Sequence, residues 1–265
     1  MAKVISGKDL SAQLKDEMKA QVATFPEKYG RVPHLVVILI GEDPGSVSYV
    51  TGKAKASEYV GIKNTTIRKP DTITEAELLG LIEELNADES VDGILVQLPL
   101  PKHISEDKVI ATIAKEKDVD GFRRDSCFDP ATPLGIVNYL DYCGFEWTGK
   151  EVTIIGRSDI VGKPLARLMT NKDATVTLCH SKSKLSNHIY DSDLIVCAVG
   201  KAGFLNCYPI HCPVIDVGIN FVDGKLVGDC YNTDGRNVTP VPGGVGLLTR
   251  LTLLENVVKA KEMYG

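Results

Sequence analysis

The stretch Val152-Thr-Ile-Ile-Gly-Arg-Ser-Asp-Ile-Val-Gly-Lys-Pro-Leu-Ala-Arg-Leu-Met169 decides the fold of this chain. A β-branched apolar run stops at Gly156, a short polar turn follows, and a helix opens near Gly162 with Pro164 in its first turn. Strand, glycine turn and helix start together make an anion site, because unpaired backbone N–H groups and the helix dipole point at the turn. Such a corner grips the phosphates in a dinucleotide-binding fold. The spacing here departs from G-x-G-x-x-G: Ser158 holds the middle glycine's place and Gly162 comes one residue late.

The flanks carry the same pattern. Upstream, the run from Pro133 to Gly144 reads as a helix opened by proline and closed by glycine. Downstream, residues 174–179, 193–200 and 213–220 read as three more strands, the last two ending in glycine turns, and helices between them predict a parallel sheet. In an NAD site the strand at 174–179 would end near a carboxylate for the ribose 2′-hydroxyl. This one ends in His180-Ser-Lys-Ser-Lys184 with no carboxylate. With Arg157 in the first turn, that suits the 2′-phosphate of NADP; as a structural element alone, the run is an ordinary solvated loop. The last motif, Thr239-Pro-Val-Pro-Gly-Gly-Val-Gly246, lets backbone approach a ligand closely or simply turns, and a helix is expected over 247–258.

The first half alternates in the same way. A surface helix is expected over 8–24, a strand buried on both faces over 34–41, and a helix from Asp43-Pro-Gly-Ser to about Gly61. A short strand at 64–68, a helix from Thr74 to Leu85 capped by Thr72 or Thr74, and a strand at 93–98 ended by two prolines complete the series. Ligands of such sheets collect beyond the carboxyl ends of the strands, which is where Gln97, the start of the 45–61 helix and Asp118-Val-Asp-Gly121 fall.

On the 45–61 helix, Tyr49, Lys53, Ala56 and Val60 share one face, so Lys53 sits on a mostly apolar stripe beside a tyrosine. Either its stem covers apolar surface while the ammonium reaches water, or it is partly desolvated, with a lowered pKa that suits a base near neutral pH. Gln97 interrupts an apolar run, and a buried amide needs partners: it is a satisfied core glutamine, or it meets Lys53 or a ligand. Lys117-Asp-Val-Asp-Gly121 reads as a solvated turn or as part of a site, and is too sparse for a metal.

The bulk composition narrows the classes. A length of 265 residues suits two modest α/β domains, and a net charge of −5 disfavours a nucleic-acid surface. No apolar run approaches the roughly 20 residues needed to cross a bilayer, and Met1-Ala-Lys-Val-Ile-Ser-Gly-Lys8 lacks the apolar core of a signal peptide. Seven cysteines without a C-x-x-C pair predict a reduced, cytoplasmic protein without structural zinc.

Taken together, the motifs resemble those of the bifunctional methylenetetrahydrofolate dehydrogenase/methenyltetrahydrofolate cyclohydrolases. The resemblance runs almost end to end, through Ser48-Tyr-Val-x-x-Lys53, Val96-Gln-Leu-Pro-Leu-Pro101, Lys117-Asp-Val-Asp-Gly121, Gly156-Arg-Ser-x-Ile-Val-Gly-x-Pro164, Cys179-His-Ser181, Ile215-Asp-Val-Gly-Ile-Asn220 and Thr239-Pro-Val-Pro-Gly-Gly-Val-Gly246. It implies a catalytic domain at 1–130, rejoined by 249–265, a Rossmann-like NADP domain at 131–248, and folate in the cleft between them. By the same resemblance Lys53 is the main catalytic residue, Gln97 hydrogen-bonds it, Tyr49 stacks on the p-aminobenzoyl ring and Asp120 binds the pterin. Gly156, Arg157, Ser158, Ser181 and Ile219 match the cofactor contacts, and the assembly implied is a cytoplasmic homodimer. The activity implied is oxidation of 5,10-methylenetetrahydrofolate with NADP, then hydrolysis to 10-formyltetrahydrofolate; a single-activity member and a non-catalytic folate- or nucleotide-binding regulator are the alternatives. The chain departs from the family in a shortened 122–131 segment, where Ala131 replaces a cysteine, and in Leu247-Leu-Thr249 after Gly246. Arg123 and Arg124, in the shortened segment, either hold a substrate carboxylate or face solvent, with solvent the favoured reading.

Overall fold

The computed structural model describes residues 7–230 and 238–265, so Met1–Ser6 of the stretch read for a leader lies outside the described residues. The chain forms two compact α/β units: Gln13–Ala131 with Arg250–Gly265, and Thr132–Thr249 with the residues up to Ala12.

In the first unit, helices α1 (Gly7–Val22) and α2 (Phe25–Tyr29) precede strand β1 (His34–Ile40), and α3 (Pro44–Val60), β2 (Lys63–Lys69), α4 (Glu75–Ala87), β3 (Gly93–Val96) and α5 (Glu106–Thr112) follow. The sheet is parallel with β1 at its centre, in the order β2-β1-β3. Every residue of β1 is buried, and its alternation divides the core. Leu35, Val37 and Leu39 pack with Val50, Ala56 and Val60 of α3 and with Leu251, Leu254 and Val257 of the C-terminal helix (Val245–Tyr264). Val36, Ile38 and Ile40 face the opposite way, onto Leu78 and Ile82 of α4 and Val109. A central parallel strand thus reads as an unbroken apolar run because helices cover both its faces.

Helix ends follow the local chemistry. Asp43 caps α3 by accepting the Ser46 N–H at 2.8 Å, Pro44 occupies its first turn, and Gly61 closes it at φ 85°. Thr74 and Glu77 form a capping box on α4. Lys117 Nζ donates to the carbonyls of Leu85, Asn86 and Asp88, between 2.7 and 3.1 Å, and so covers the last orphan acceptors of α4.

The second unit holds α6 (Ala131–Tyr142), β4 (Glu151–Ile155), α7 (Gly162–Thr170), β5 (Thr175–Cys179), α8 (Ser186–Ile189), β6 (Leu194–Cys197) and β7 (Val214–Asp216). Its parallel sheet has the order β5-β4-β6-β7. Two expectations are corrected here. The covering helices thin out after α7: α8 is a single turn, and only the 3-10 turn Phe204–Cys207 lies between β6 and β7. The expected strand at 213–220 stops at Asp216, and Asn220 begins β8 (Asn220–Val222), which pairs antiparallel with β9 (Lys225–Val227). The hairpin turns on Asp223 and Gly224 at φ 49° and 73°, the left-handed pair that an Asp-Gly turn requires, so the signal was present in Val-Asp-Gly-Lys.

Candidate active site

In the first unit, the carboxyl ends of β1 and β3 bring α3 and Gln97 together. Lys53 is buried, at 6% exposure, on the helix that also buries Val50, Ala56, Ser57 and Val60. Its Nζ donates to Gln97 Oε1 at 3.1 Å. Gln97 is fixed for that role: its N–H bonds the Ile38 carbonyl at 2.9 Å, and its Nε2 donates to the Leu98 carbonyl at 2.8 Å, which turns Oε1 toward the lysine. Burial lowers the Lys53 pKa, the charge of Asp120 pulls it up, and that of Arg250 pulls it down. Asp120 shows the reciprocal balance, raised by burial and lowered by Lys53. Tyr49, half-buried one turn before Lys53, has its hydroxyl raised by burial against the opposing charge of Arg250.

The turn carrying Asp120 is set by backbone packing. Gly121 lies at φ 71°, and a Cβ there would stand 2.7 Å from the backbone at Asp129 and Pro130. Asn256 of the C-terminal helix donates from Nδ2 to the Val119 carbonyl at 2.8 Å and to the Asp129 carbonyl at 3.2 Å. Arg123 pairs with Asp125 at 2.9 Å and donates to the carbonyls of Ala111 and Ile113, an anchoring role rather than the solvent-facing one favoured from sequence; Arg124 is exposed. Asp118 and Asp120 line a concavity of about 280 Å³, counted with the solvent at its mouth, whose apolar wall includes Leu95, Val96, Leu98 and Phe122.

In the second unit, β4 delivers Gly156 at φ 117°. A Cβ on Gly156 would run into the Ala198 carbonyl, and one on Gly162 into the Gly156 carbonyl, so the turn closes only with both glycines. Ser158 Oγ accepts the N–H groups of Val161 at 3.2 Å and Gly162 at 3.5 Å, which sets the start of α7. Because Ile155 pairs with Cys179, Arg157 and Ser181 each stand two residues beyond paired positions on adjacent parallel strands. Both are exposed, as is Lys182, and no carboxylate occupies the β5 end. That donor set fits a phosphate on the ribose better than a free 2′-hydroxyl. Ile219 is 44% exposed just past β7.

Residues 5–120 match the family model for the tetrahydrofolate dehydrogenase/cyclohydrolase catalytic domain, and residues 130–264 match the model for its NAD(P)-binding domain. The chain belongs to the tetrahydrofolate dehydrogenase/cyclohydrolase family. Bifunctional protein FolD of Bacillus pumilus is 45% identical, covering 98% of this chain and 97% of its own, and that of Exiguobacterium sibiricum is 47% identical with 98% and 99% covered. Among solved structures, the bifunctional FolD methylenetetrahydrofolate dehydrogenase/cyclohydrolase of Campylobacter jejuni superposes with a TM-score of 0.91 at 43% identity, covering 97% of each chain. The Trypanosoma brucei enzyme, described as complexed with NADP cofactor and inhibitor, gives 0.91 at 33% identity, covering 98% of this chain and 97% of its own.

Within the tetrahydrofolate dehydrogenase/cyclohydrolase framework, the structure brings Lys53, Gln97, Asp120 and Tyr49 into the first unit and Gly156, Arg157, Ser158, Ser181 and Ile219 into the second. Three features escaped the sequence reading. Arg250 reaches α3 from the C-terminal helix, where nothing local marks it. Two buried aspartates organise the loops past β6 and β7: Asp229 accepts the N–H groups of Val199, Gly200 and Lys201 between 2.7 and 2.9 Å, and Asp216 those of Gly218, Asp229 and Cys230 between 2.8 and 3.0 Å. Gly218 and Gly228, where a Cβ would strike these carboxylates, were the available signal.

Third, Asp118 is buried at 1% exposure, which corrects the solvated-turn reading of Lys117-Asp-Val-Asp. Burial pushes its carboxyl up to about 6, against the Arg123 N–H and the neighbouring Ser126 that favour the anion. The folded chain therefore keeps a proton that the unfolded chain has already lost. That stabilisation is full below about pH 4 and is lost as pH rises through about 6, some 3 kcal/mol at ~1.4 kcal/mol per unit. Asp118→Asn removes the ionisation, so its stability relative to the parent improves by about that amount between pH 4 and pH 7. Denaturant titrations at the two pH values measure it, and a difference that does not change with pH refutes the assignment.

Among the described residues, no helix is long and apolar enough to cross a membrane, and no cluster of three or more His, Cys, Asp or Glu side chains could hold a metal ion.

Proposed function

We propose that this chain oxidises 5,10-methylenetetrahydrofolate to the 5,10-methenyl form with NADP, and hydrolyses that product to 10-formyltetrahydrofolate. The observation that carries the hydrolytic half is a buried lysine, Lys53, bonded to Gln97 and balanced between Asp120 and Arg250. Burial and the charge of Arg250 lower its pKa, which favours the neutral amine that a proton acceptor needs.

In this reading Tyr49 offers its ring to the p-aminobenzoyl group and Asp120 meets the pterin, beside the apolar wall it shares with Leu98 and Phe122. Positioning supplies much of the rate of the first step, because no base is needed to remove hydride. Gly156, Ser158 and the first turn of α7 would hold the diphosphate of NADP, Arg157 and Ser181 its 2′-phosphate, and Ile219 would contact it through apolar surface; its oxidised nicotinamide would supply the hydride acceptor. In the second step Lys53 takes a proton from the water that attacks the methenyl carbon. As the bond from that carbon to N5 opens, N5 gains a proton, the carbinol oxygen loses one to become the formyl oxygen, and one proton is released overall. Gln97 keeps the amine aimed in both protonation states, since its oxygen accepts from either. The seven cysteines without a C-x-x-C pair support a reduced, cytoplasmic protein, and the family resemblance supports a homodimer.

Two absorbance assays test the proposal: growth of the reduced-nicotinamide band with methylenetetrahydrofolate and NADP, and decay of methenyltetrahydrofolate without cofactor. Signal in both is expected; signal in one alone leaves a single-activity enzyme, and none favours a binding protein. Replacing Arg157 by Ala should cut kcat/KM with NADP roughly ten- to hundredfold, the worth of a charge-assisted hydrogen bond of about 1.5–3 kcal/mol, and leave NAD turnover unchanged. Equal losses with both cofactors would remove Arg157 from the 2′-phosphate.

A further inference from the structure

Asp229, which no step of the proposed reaction uses, is fully buried in the second unit, and its carboxylate gathers the loops past two strands. Its Oδ2 accepts the N–H groups of Val199 at 2.7 Å and Gly200 at 2.9 Å, and its Oδ1 accepts the Lys201 N–H at 2.8 Å and Asn220 Nδ2 at 3.0 Å. Three consecutive N–H groups turned to one point, with Gly200 at φ 70°, make a concave anion nest, and the chain's own carboxylate fills it. A Cβ on Gly218 would strike that carboxylate, so the loop past β7 closes on it only with glycine there. Asp216, the last residue of β7, accepts the Asp229 N–H at 3.0 Å and holds the aspartate from its backbone side.

The loop so held lies against the Gly156 turn. Ala198 donates its N–H to the Ile155 carbonyl at 2.8 Å, and its own carbonyl stands where a Cβ on Gly156 would go. In the sheet order β5-β4-β6-β7 the chain leaves β4 for β5 on one side and returns to β6 on the other. The ends of β4 and β6 therefore flank the point at which the strand order reverses, and ligands of open α/β sheets lie in the crevice at that point. Gly156 supplies one wall of this crevice and residues 198–201 the other. No full helix braces the second wall, because only the 3-10 turn Phe204–Cys207 follows β6. Its place is set instead by Asp229, whose backbone carbonyl also accepts the Leu205 N–H at 3.1 Å.

We propose that Asp229 is a positioning residue for the dehydrogenase step: by filling the nest at Val199–Lys201 it fixes the wall of the cofactor crevice that faces the Gly156 turn. The inference rests on the reading of the second unit as the holder of the cofactor. It accounts for a carboxylate buried beside that crevice, where the cost of desolvation is offset only by donors aimed at the anion. It also separates two kinds of residue around the cofactor. Arg157 acts on the 2′-phosphate, and so on NADP alone, whereas Asp229 acts on a crevice that NADP and NAD share.

The test compares Asp229→Asn and Asp229→Ala with the full-length parent in reduction of NADP, reduction of NAD, and cofactor-free hydrolysis of methenyltetrahydrofolate. Asparagine keeps the shape, but whichever way its amide turns, its NH2 group meets a backbone N–H. Loss of charge-assisted hydrogen bonds of this kind should lower kcat/KM by about ten- to a hundredfold, by the same factor with both cofactors. Hydrolysis should stay at the parent rate, because Lys53, Gln97 and Asp120 belong to the other compact unit. In Asp229→Ala the nest is left open, and formate, a carboxylate small enough to enter it, should restore NADP reduction severalfold over chloride at the same ionic strength without raising the parent rate. Asp229→Asn gives the readout if Asp229→Ala folds poorly. Unchanged kcat/KM in Asp229→Asn, a loss confined to one cofactor, or an equal loss in hydrolysis would overturn the proposal, as would a loss in folded Asp229→Ala that formate leaves in place. If the parent reduces NADP and the variants match it, only the role of Asp229 fails. If the parent reduces neither cofactor, the reading of the second unit fails and this inference falls with it.

Discussion

Lys53→Met should abolish hydrolysis of methenyltetrahydrofolate while the protein folds as before. A positioned acid–base group typically contributes a factor of about 10²–10⁴, and no second amine is placed to substitute for this one: the only hydrogen bond to Gln97 Oε1 among the described contacts comes from Lys53 Nζ. The stability forecast runs the other way. Lys53 is buried, so methionine fills the slot with a thioether that avoids the cost of desolvating an ammonium. The opposing loss is one donor to Gln97, about 1 kcal/mol. The two effects nearly cancel, and the melting temperature should stay within a few degrees of the parent. Hydride transfer needs no base, so the dehydrogenase assay should retain far more activity than the hydrolysis assay. Stopped-flow decay of methenyltetrahydrofolate, beside a thermal melt, checks this, and full hydrolytic turnover in the variant would sink the assignment of Lys53.

Gly162→Ala should produce the opposite split. A Cβ at this buried position would strike the Gly156 carbonyl and come within 2.9 Å of Arg157 Cα, both backbone atoms that cannot swing aside. The start of α7 must then retreat from the β4 turn, taking with it the N–H groups set by Ser158 Oγ. Overpacking of this kind costs roughly 1–3 kcal/mol, and the loss falls on the corner that grips phosphate. NADP affinity should drop by about tenfold to a hundredfold, and dehydrogenase turnover with it. Lys53, Gln97 and Asp120 belong to the other compact unit, so cofactor-free hydrolysis should persist. Titration of NADP by fluorescence and the paired assays measure the split. Unchanged NADP affinity would mean that the corner does not hold the cofactor.

Much of the fold was legible because its signals are local. The run Val152–Ile155 and the two glycines that follow specify strand, turn and helix within one short segment, and Asp43, Thr74 and Gly61 mark helix ends through contacts a few residues away. The stripe of Tyr49, Lys53, Ala56 and Val60 follows from helical periodicity alone. The hairpin at 220–227 shows the limit of an apolar pattern: residues 213–220 read as one strand, although β7 ends at Asp216 and Asn220 already opens the hairpin. The Asp-Gly pair at 223–224, which turns β8 back onto β9, was the better guide.

The state of the candidate site was not legible in the same way. By itself the sequence determined that a lysine stands on an apolar helix face, that a glutamine interrupts an apolar run, and that a glycine turn opens a helix. How Lys53 is held and charged depends on Gln97 beyond β3, on Asp120 in a turn pinned by Asn256, and on Arg250 from the C-terminal helix. Asp118 likewise passes from an apparent surface turn to a buried carboxyl that accepts the Arg123 N–H. The physical reason is common to both residues. Secondary structure is chosen by neighbours along the chain, whereas the charge state of a side chain is set by desolvation and by the field of groups that tertiary folding brings from far away.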